Sequence, residues 1–246
     1  MTGPLLLALV VAAYAPAQEA AAPASAAPSA AASTSQAPAV EKIDTKGIIK
    51  DSFSLLMVQH TARILFQEKT RRELRGPFWQ DYVDSVHMPK SWGDGDGWLM
   101  NYVGHPIMGA ASGFVFLAND PKSGKEEFGL STRYWETRWR PVVFAALYSV
   151  QFEIGPVSEA SIGNVGKNPE TTGWSDYVIT PLGAMAFLVA EDAVDRYFLR
   201  WAEEHVPNKI ARIALRCFFG PSRALANGAM GRMPWYRESR PLQWRR

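Results

Sequence analysis

The chain has 246 residues, 26 Lys and Arg against 24 Asp and Glu, a formal net charge of +2, and 47% hydrophobic residues. So small a net charge does not imply nucleic-acid binding over the whole surface, and none is expected. A single cysteine, Cys217, excludes an intramolecular disulfide and a cysteine metal cluster, and its apolar context (ALRCFFG) marks a packed residue rather than a nucleophile.

Residues 1–17 read as a secretory signal. Leu5–Ala15 is an apolar run too short to span a bilayer, and Ala15-Pro16-Ala17 offers a small-x-small cleavage site before Gln18. The opening Met-Thr-Gly lacks the usual basic residue, and no cysteine follows to make a lipoprotein signal. Residues 18–40, nearly all Ala, Pro, Ser, Thr and Gln, cannot bury a core and read as a disordered tether. Together the two segments predict export, to the periplasm or the outer membrane.

A folded region is expected over 41–229. Ile48–Leu74 has helical spacing and stops at Gly76-Pro77; His60 falls on its apolar side and reads as a hydrogen-bonded core histidine. Phe78–Gly97 reads as a connector containing a solvated His87. Its Asp94-Gly95-Asp96-Gly97 resembles part of a calcium loop, but Trp98 and His105 stand where oxygen ligands are needed. Asp96 therefore reads as a cap or turn residue ahead of the next helix.

Gly97–Ala118 is the longest apolar run. At 100° per residue, Asn101, His105, Met108 and Ser112 share one stripe. Gly109 and Gly113 form a small-xxx-small face that lets a second helix approach closely. A histidine and an asparagine in apolar packing must find hydrogen-bond partners, so neighbouring helices are expected to supply them. Pro106 predicts either a helix start near 102–104 or a kink.

Lys122–Gly129 reads as an exposed charged loop. Ser131–Ile154 is the next helix, stopped by Gly155-Pro156, with Gln151, Glu153, Glu159 and Asn164 gathered near its end. Residues 165–173 read as a surface loop. Trp174–Glu204 is one long helical pattern in which Asp176, Thr180, Gly183, Phe187 and Glu191 share a face, Asp195 follows one turn later, and Pro181 predicts a kink. Val206–Ala229 adds one or two helices carrying Arg212, Arg216 and Arg223, broken at Gly220-Pro221. The tail, residues 230–246, is rich in arginine and includes Trp235, Tyr236 and Trp244. It reads as a strip for anionic lipid headgroups or as a solvated terminus.

No apolar run reaches 18 residues without a polar interruption, and neither strand signals nor solenoid repeats are present. Nine tryptophans, with Trp98, Trp139 and Trp174 at the ends of apolar runs, suit a membrane interface or a helical core. The expected fold is mainly α: one multi-helix bundle with kinked, small-residue-rich central helices, resting on or embedded in a membrane. A lipid surface is the expected partner, and a protein partner or self-association stays open.

The residues with chemistry in them are His105, Asn101, Glu153, Glu159, Asp176, Glu191 and Asp195. His105 with Glu153, Asp176 and Glu191 offers the donor types of a divalent metal centre. His105 with Asn101, Glu153 and Glu191 offers those of a general acid–base site. A structural network locking His105 fits the same residues. No HExxH, serine elbow, glycine-rich phosphate loop or ExxH pair is present.

At NYVGHPIMG (101–109), QFEIGPVSEASIGN (151–164) and EDAVDRY (191–197) the chain resembles an uncharacterised family of exported bacterial proteins common in acidobacteria. That family is itself similar to a wider domain-of-unknown-function family with an N-x-x-x-H-P-x-x-G helix. The resemblance covers most of Phe53–Trp235 and implies export and a helical domain, with no activity attached. Three functions follow as candidates: an envelope scaffold, an envelope- or lipid-acting hydrolase using His105 with a carboxylate, or a binder of an apolar ligand. Catalysis requires His105 and a carboxylate to converge on an accessible cleft. A scaffold would bury His105 without a cavity, and a lipid binder would show a long apolar cavity.

Overall fold

Capping side chains set several of the helix starts. The computed structural model describes residues 42–74, 76–85, 91–93, 96–162 and 173–242. The expected signal and tether, His87, Asp94, Asn164, most of the 165–173 loop and Trp244 lie outside those residues. Helix α1 (Thr45–Phe66) begins where Asp44 accepts a hydrogen bond from the Gly47 amide at 2.9 Å. It ends one residue before Gln67, whose extended backbone separates it from α2 (Glu68–Glu73). The expected single helix over 48–74 is thus two. The Gln67 side-chain oxygen, accepting from Arg63 Nε and Thr70 Oγ1 at 3.0 Å each, bridges the break. The expected connector contains a third helix, α3 (Phe78–Ser85).

The helix carrying His105 starts at Trp98, passes through a π-helical turn at Met100–Gly104, and continues as α4 (His105–Ala118). Pro106 accounts for the wide turn. Without an N–H it cannot make the ordinary bond to the carbonyl four residues back, and the ladder shifts so that His105 N bonds Met100 O. A one-turn helix, α5 (Pro121–Gly124), sits in the expected charged loop, capped by Asp120. Ser131 caps α6 (Thr132–Ile154) by accepting from Tyr134 N at 3.1 Å. Helix α7 (Ser175–Val194) runs through Pro181 without ending there, and a second π-helical turn, Asp195–Leu199, joins it to α8 (Arg200–His205). Asn208 caps α9 (Lys209–Phe219), and α10 (Pro221–Ala229) follows Gly220.

The bundle is organised around α4, which packs most extensively on α7 and then on α6 and α10. Pairs across the α4–α7 interface advance in the same direction along both helices, His105 with Asp176, Gly109 with Thr180 and Gly113 with Leu188, so the two helices run parallel. Glycine is needed for this approach: a Cβ on Gly109 would lie 2.8 Å from the Thr180 carbonyl oxygen, and one on Gly183 would lie 2.4 Å from Pro106. The expected small-xxx-small face is therefore in use. The apolar core around it includes Leu55, Ala110, Ala111, Val115, Ala145 and Leu188, all fully buried. Among the described residues there is no strand, only an isolated bridge between Ser91 and Gly173.

Two features bear on the expected membrane contact. Read through its π turn, the helix Ser175–His205 is long and apolar enough to cross a membrane by length and composition, with a mean hydropathy of 1.4 over its most apolar window. The described part of the tail is exposed over residues 231–233 and at Tyr236, Glu238 and Ser239, but it is fastened to the bundle through its other arginines. Arg216, fully buried, forks onto Glu203 at 2.7 and 2.8 Å and donates to the carbonyls of Trp235 and Arg240. Arg237 and Arg240 pair in turn with Asp195 and Glu203. These arginines fasten the tail to the bundle instead of offering their charge outward.

Candidate active site

Three helix ends meet at one point. His105 opens α4 just after the π turn, Glu153 lies in the last turn of α6, and Asp176 lies in the first turn of α7. His105 Nε2 is 3.7 Å from Asp176 Oδ1. One donor atom from each of His105, Glu153 and Asp176 falls within 4.8 Å of the others, and all three residues are buried. Asp176 suits the positive end of its helix, whereas Glu153 sits at the negative end of α6. Burial first, then the charges of Glu159 and Asp176 and a hydrogen bond with Glu159, push the Glu153 carboxyl well above the carboxylate range, against the pull of Arg63. Its Oε1 has no hydrogen-bond partner.

Glu159 reaches the cluster because the chain folds back after α6. Its amide donates to Phe152 O at 2.8 Å and that of Ala160 to Glu153 O at 3.1 Å. Ser158 and Ser161 lock the turn reciprocally, each side-chain oxygen accepting from the other's amide at 3.1 and 2.8 Å. This is the structural content of the SEAS segment. Arg63 pairs with Glu159 and is held at its Nε by Gln67.

A cavity of about 180 Å³ adjoins the cluster, with His105, Glu159, Arg63, Tyr148 and Thr180 in its walls. Tyr148 donates to Gln59 Oε1 at 2.7 Å, and Gln59 Nε2 donates to Met108 Sδ at 3.2 Å, closing one side. Phe66 and Met100 also line it, and Phe66 is 84% exposed, so they form a rim. Beside the rim Trp98 stacks on Tyr102 at 5.8 Å, Trp92 Nε1 donates to the Tyr102 hydroxyl at 3.0 Å, and Trp98 and Leu99 stand exposed.

Of the residues expected at the site, the structure brings together His105, Glu153, Asp176 and Glu159, with Asn101 buried on the adjoining π turn. Glu191 is elsewhere, which corrects its expected part as acid–base group or metal ligand. It lies fifteen residues along α7 from Asp176, about 22 Å at 1.5 Å per residue. There it accepts from the amides of Ser222 and Arg223 at 2.8 and 3.1 Å, capping α10, whose start lacks a side-chain cap of its own. Asp195 is absent from the site too: burial disfavours its charge, but Arg223, Arg237 and Arg240 outweigh that and hold its carboxyl below the usual range. Asp192 accepts from Tyr134, Arg138 and Arg223, so the EDAVDRY segment is an ion-pair hub. His60 is a core histidine, as expected. It donates through Nε2 to Val157 O at 3.2 Å and stacks on Phe152 at 5.1 Å. Sequence reasoning missed Arg63 and Thr180 as cavity residues; the spacing of Arg63 one turn after His60 was the available signal.

No family model, curated protein or solved structure matches the chain. The site has to be read from its own chemistry. His105 stands in the wall of an apolar cavity with Glu153 and Asp176 behind it; such an imidazole, backed by carboxylates, can position and deprotonate water, and the cavity can hold the apolar part of what that water attacks.

Proposed function

We propose that the protein is an envelope hydrolase acting on an amphiphile, with the apolar chain of the substrate in the cavity and the scissile bond at His105, Glu153 and Asp176. One observation carries the reading: a buried histidine and two carboxylates from three helices converge beside an apolar cavity with an exposed rim. A scaffold has no use for a cavity against its buried histidine. At about 180 Å³ the cavity is only slightly larger than one that takes a benzene ring, about 150 Å³. A whole lipid cannot enter, so a bound chain would extend over Phe66, Met100 and the neighbouring Trp98 and Leu99. Exposed indole and aliphatic groups there favour a lipid surface as the place from which the substrate is taken. Residues 1–17 support export to the envelope on their composition alone.

The test is hydrolysis by the purified full chain of nitrophenyl esters and phosphodiesters with short and long alkyl chains, and of phospholipid vesicles. Turnover that favours the longer chains and falls at least about 100-fold in His105→Ala supports the reading. Chain binding without turnover of any of these probes replaces it with apolar-ligand binding. Equal rates in the two proteins would assign the activity to another site.

A further inference from the structure

The 3.7 Å between His105 Nε2 and Asp176 Oδ1 is too long for a hydrogen bond. It is close to the separation of two ligands on a common ion, about 3.4 Å in a tetrahedral site with bonds of about 2.1 Å. The third group is held for the same point. Glu153 is 3% exposed, lies with its donor atom inside the same 4.8 Å group, and has one oxygen without any partner. The charges are also unbalanced: Glu153, Glu159 and Asp176 bring three carboxyl groups to a dry interior, and Arg63 is the guanidinium that meets them, paired with Glu159. A cation between the three donors would answer both the unpartnered oxygen and the surplus of acid.

We propose that His105, Glu153 and Asp176 bind one divalent transition-metal ion of the Zn²⁺ type, leaving a coordination position open toward the apolar cavity. One imidazole nitrogen and two carboxylate oxygens favour zinc, manganese, iron or cobalt over calcium and magnesium, which take oxygen alone. Three protein ligands with a vacant position are the pattern of a catalytic rather than a structural ion. The surroundings orient the ligands as such a site needs. Ser175 Oγ donates to Asp176 Oδ1 at 3.3 Å, and Ser149 Oγ donates to the Asp176 carbonyl at 3.3 Å. On the other side, Glu153 hydrogen-bonds to Glu159, whose carboxylate is held by Arg63. An ion here would lower the pKa of a bound water and present it to a chain lying in the cavity. This inference rests on the hydrolase reading only for that last role; the binding of the ion stands apart from it.

The experiment is titration of the chelator-treated full chain with Co²⁺, followed by its visible absorption, by metal content after dialysis and by competition with Zn²⁺. One equivalent is expected, with a visible band that Zn²⁺ removes. Glu153→Gln and Asp176→Asn should each weaken uptake by at least about 100-fold, while Glu204→Gln, at an exposed carboxylate on α8, keeps it. No uptake by the wild-type chain overturns the proposal, as does a band that persists in both site variants. Should either variant fail to fold by circular dichroism, the wild-type stoichiometry and competition decide alone. Hydrolysis that survives chelation, without a cobalt band, removes the metal and leaves the hydrolase. A cobalt band with no hydrolysis of any probe removes the hydrolase and leaves the metal.

Discussion

Asp176 faces His105 because Thr180 faces Gly109. The two pairs lie one helical turn apart along the same parallel interface between α4 and α7, and the close approach that glycine permits in the second pair sets the 3.7 Å separation in the first. The site and the tightest helix packing in the bundle are therefore one feature, and disturbing the packing should disturb the site.

Gly109→Ala tests that link. The added methyl would sit 2.8 Å from a backbone oxygen and 3.0 Å from Ala184 Cβ, so the helices must part. Overpacking of this kind costs about 1–3 kcal/mol, against roughly 1 kcal/mol gained from the better helix former. A net loss of up to about 2 kcal/mol in urea unfolding is expected, together with weaker Co²⁺ uptake. Gly228→Ala is the contrast: it lies in α10 with nothing within 4 Å of the new atom, and should gain up to about 1 kcal/mol. A Gly109→Ala protein as stable as the wild type would mean that α4 and α7 are further apart than described.

Arg216 makes a second prediction. Its guanidinium is fully buried and serves Glu203 and two tail carbonyls at once. Removing it strands those acceptors, so Arg216→Ala should lose about 3–5 kcal/mol. The tail should also come loose. Limited trypsin digestion followed by mass spectrometry should show cleavage after Arg237 in the variant and protection in the wild type, where Arg237 is buried against Asp195. Equal cleavage in both would show that the tail is not fastened by these ion pairs.

Much of this was legible in the sequence, and the failures have a common cause. Helical periodicity located α4, α6 and α7, and the stripe of Asn101 and His105 marked the side that meets the neighbours. The glycine spacing at 109 and 113 identified the packing face. Periodicity also put Asp176 and Glu191 on one face of one helix, but a shared face is not a shared place, and the rise along the axis separates them. What Glu191 does instead depends on the start of α10, which only the tertiary fold brings to it. Apart from its spacing after His60, nothing near Arg63 in the sequence pointed to its role, because its partner, Glu159, lies almost a hundred residues away. The tail arginines looked unpaired for the same reason. Local composition reports charge, whereas pairing between remote segments is decided by the fold.

The last prediction concerns acid. His60 is buried, gives its Nε2 proton to Val157 O and stacks on Phe152, with Arg63 one turn away. Burial, with a further push from Arg63 and against the Val157 carbonyl, lowers its pKa from 6.5 to about 4. Between those values the unfolded chain takes up a proton that the folded chain refuses. The stability contributed by neutral His60 is complete above about pH 6.5 and is lost as the pH falls toward 4, by about 3 kcal/mol in all. Glu153 and Glu191, whose carboxyls burial holds above the usual range, act in the opposite direction. They are common to the wild type and to His60→Gln, so the difference between the two proteins isolates the histidine. Urea unfolding from pH 7 to pH 4 should show the wild type losing stability faster than His60→Gln, whose amide can still donate to Val157 O without titrating. Parallel curves would mean that the His60 ring reaches solvent and protonates in the folded state.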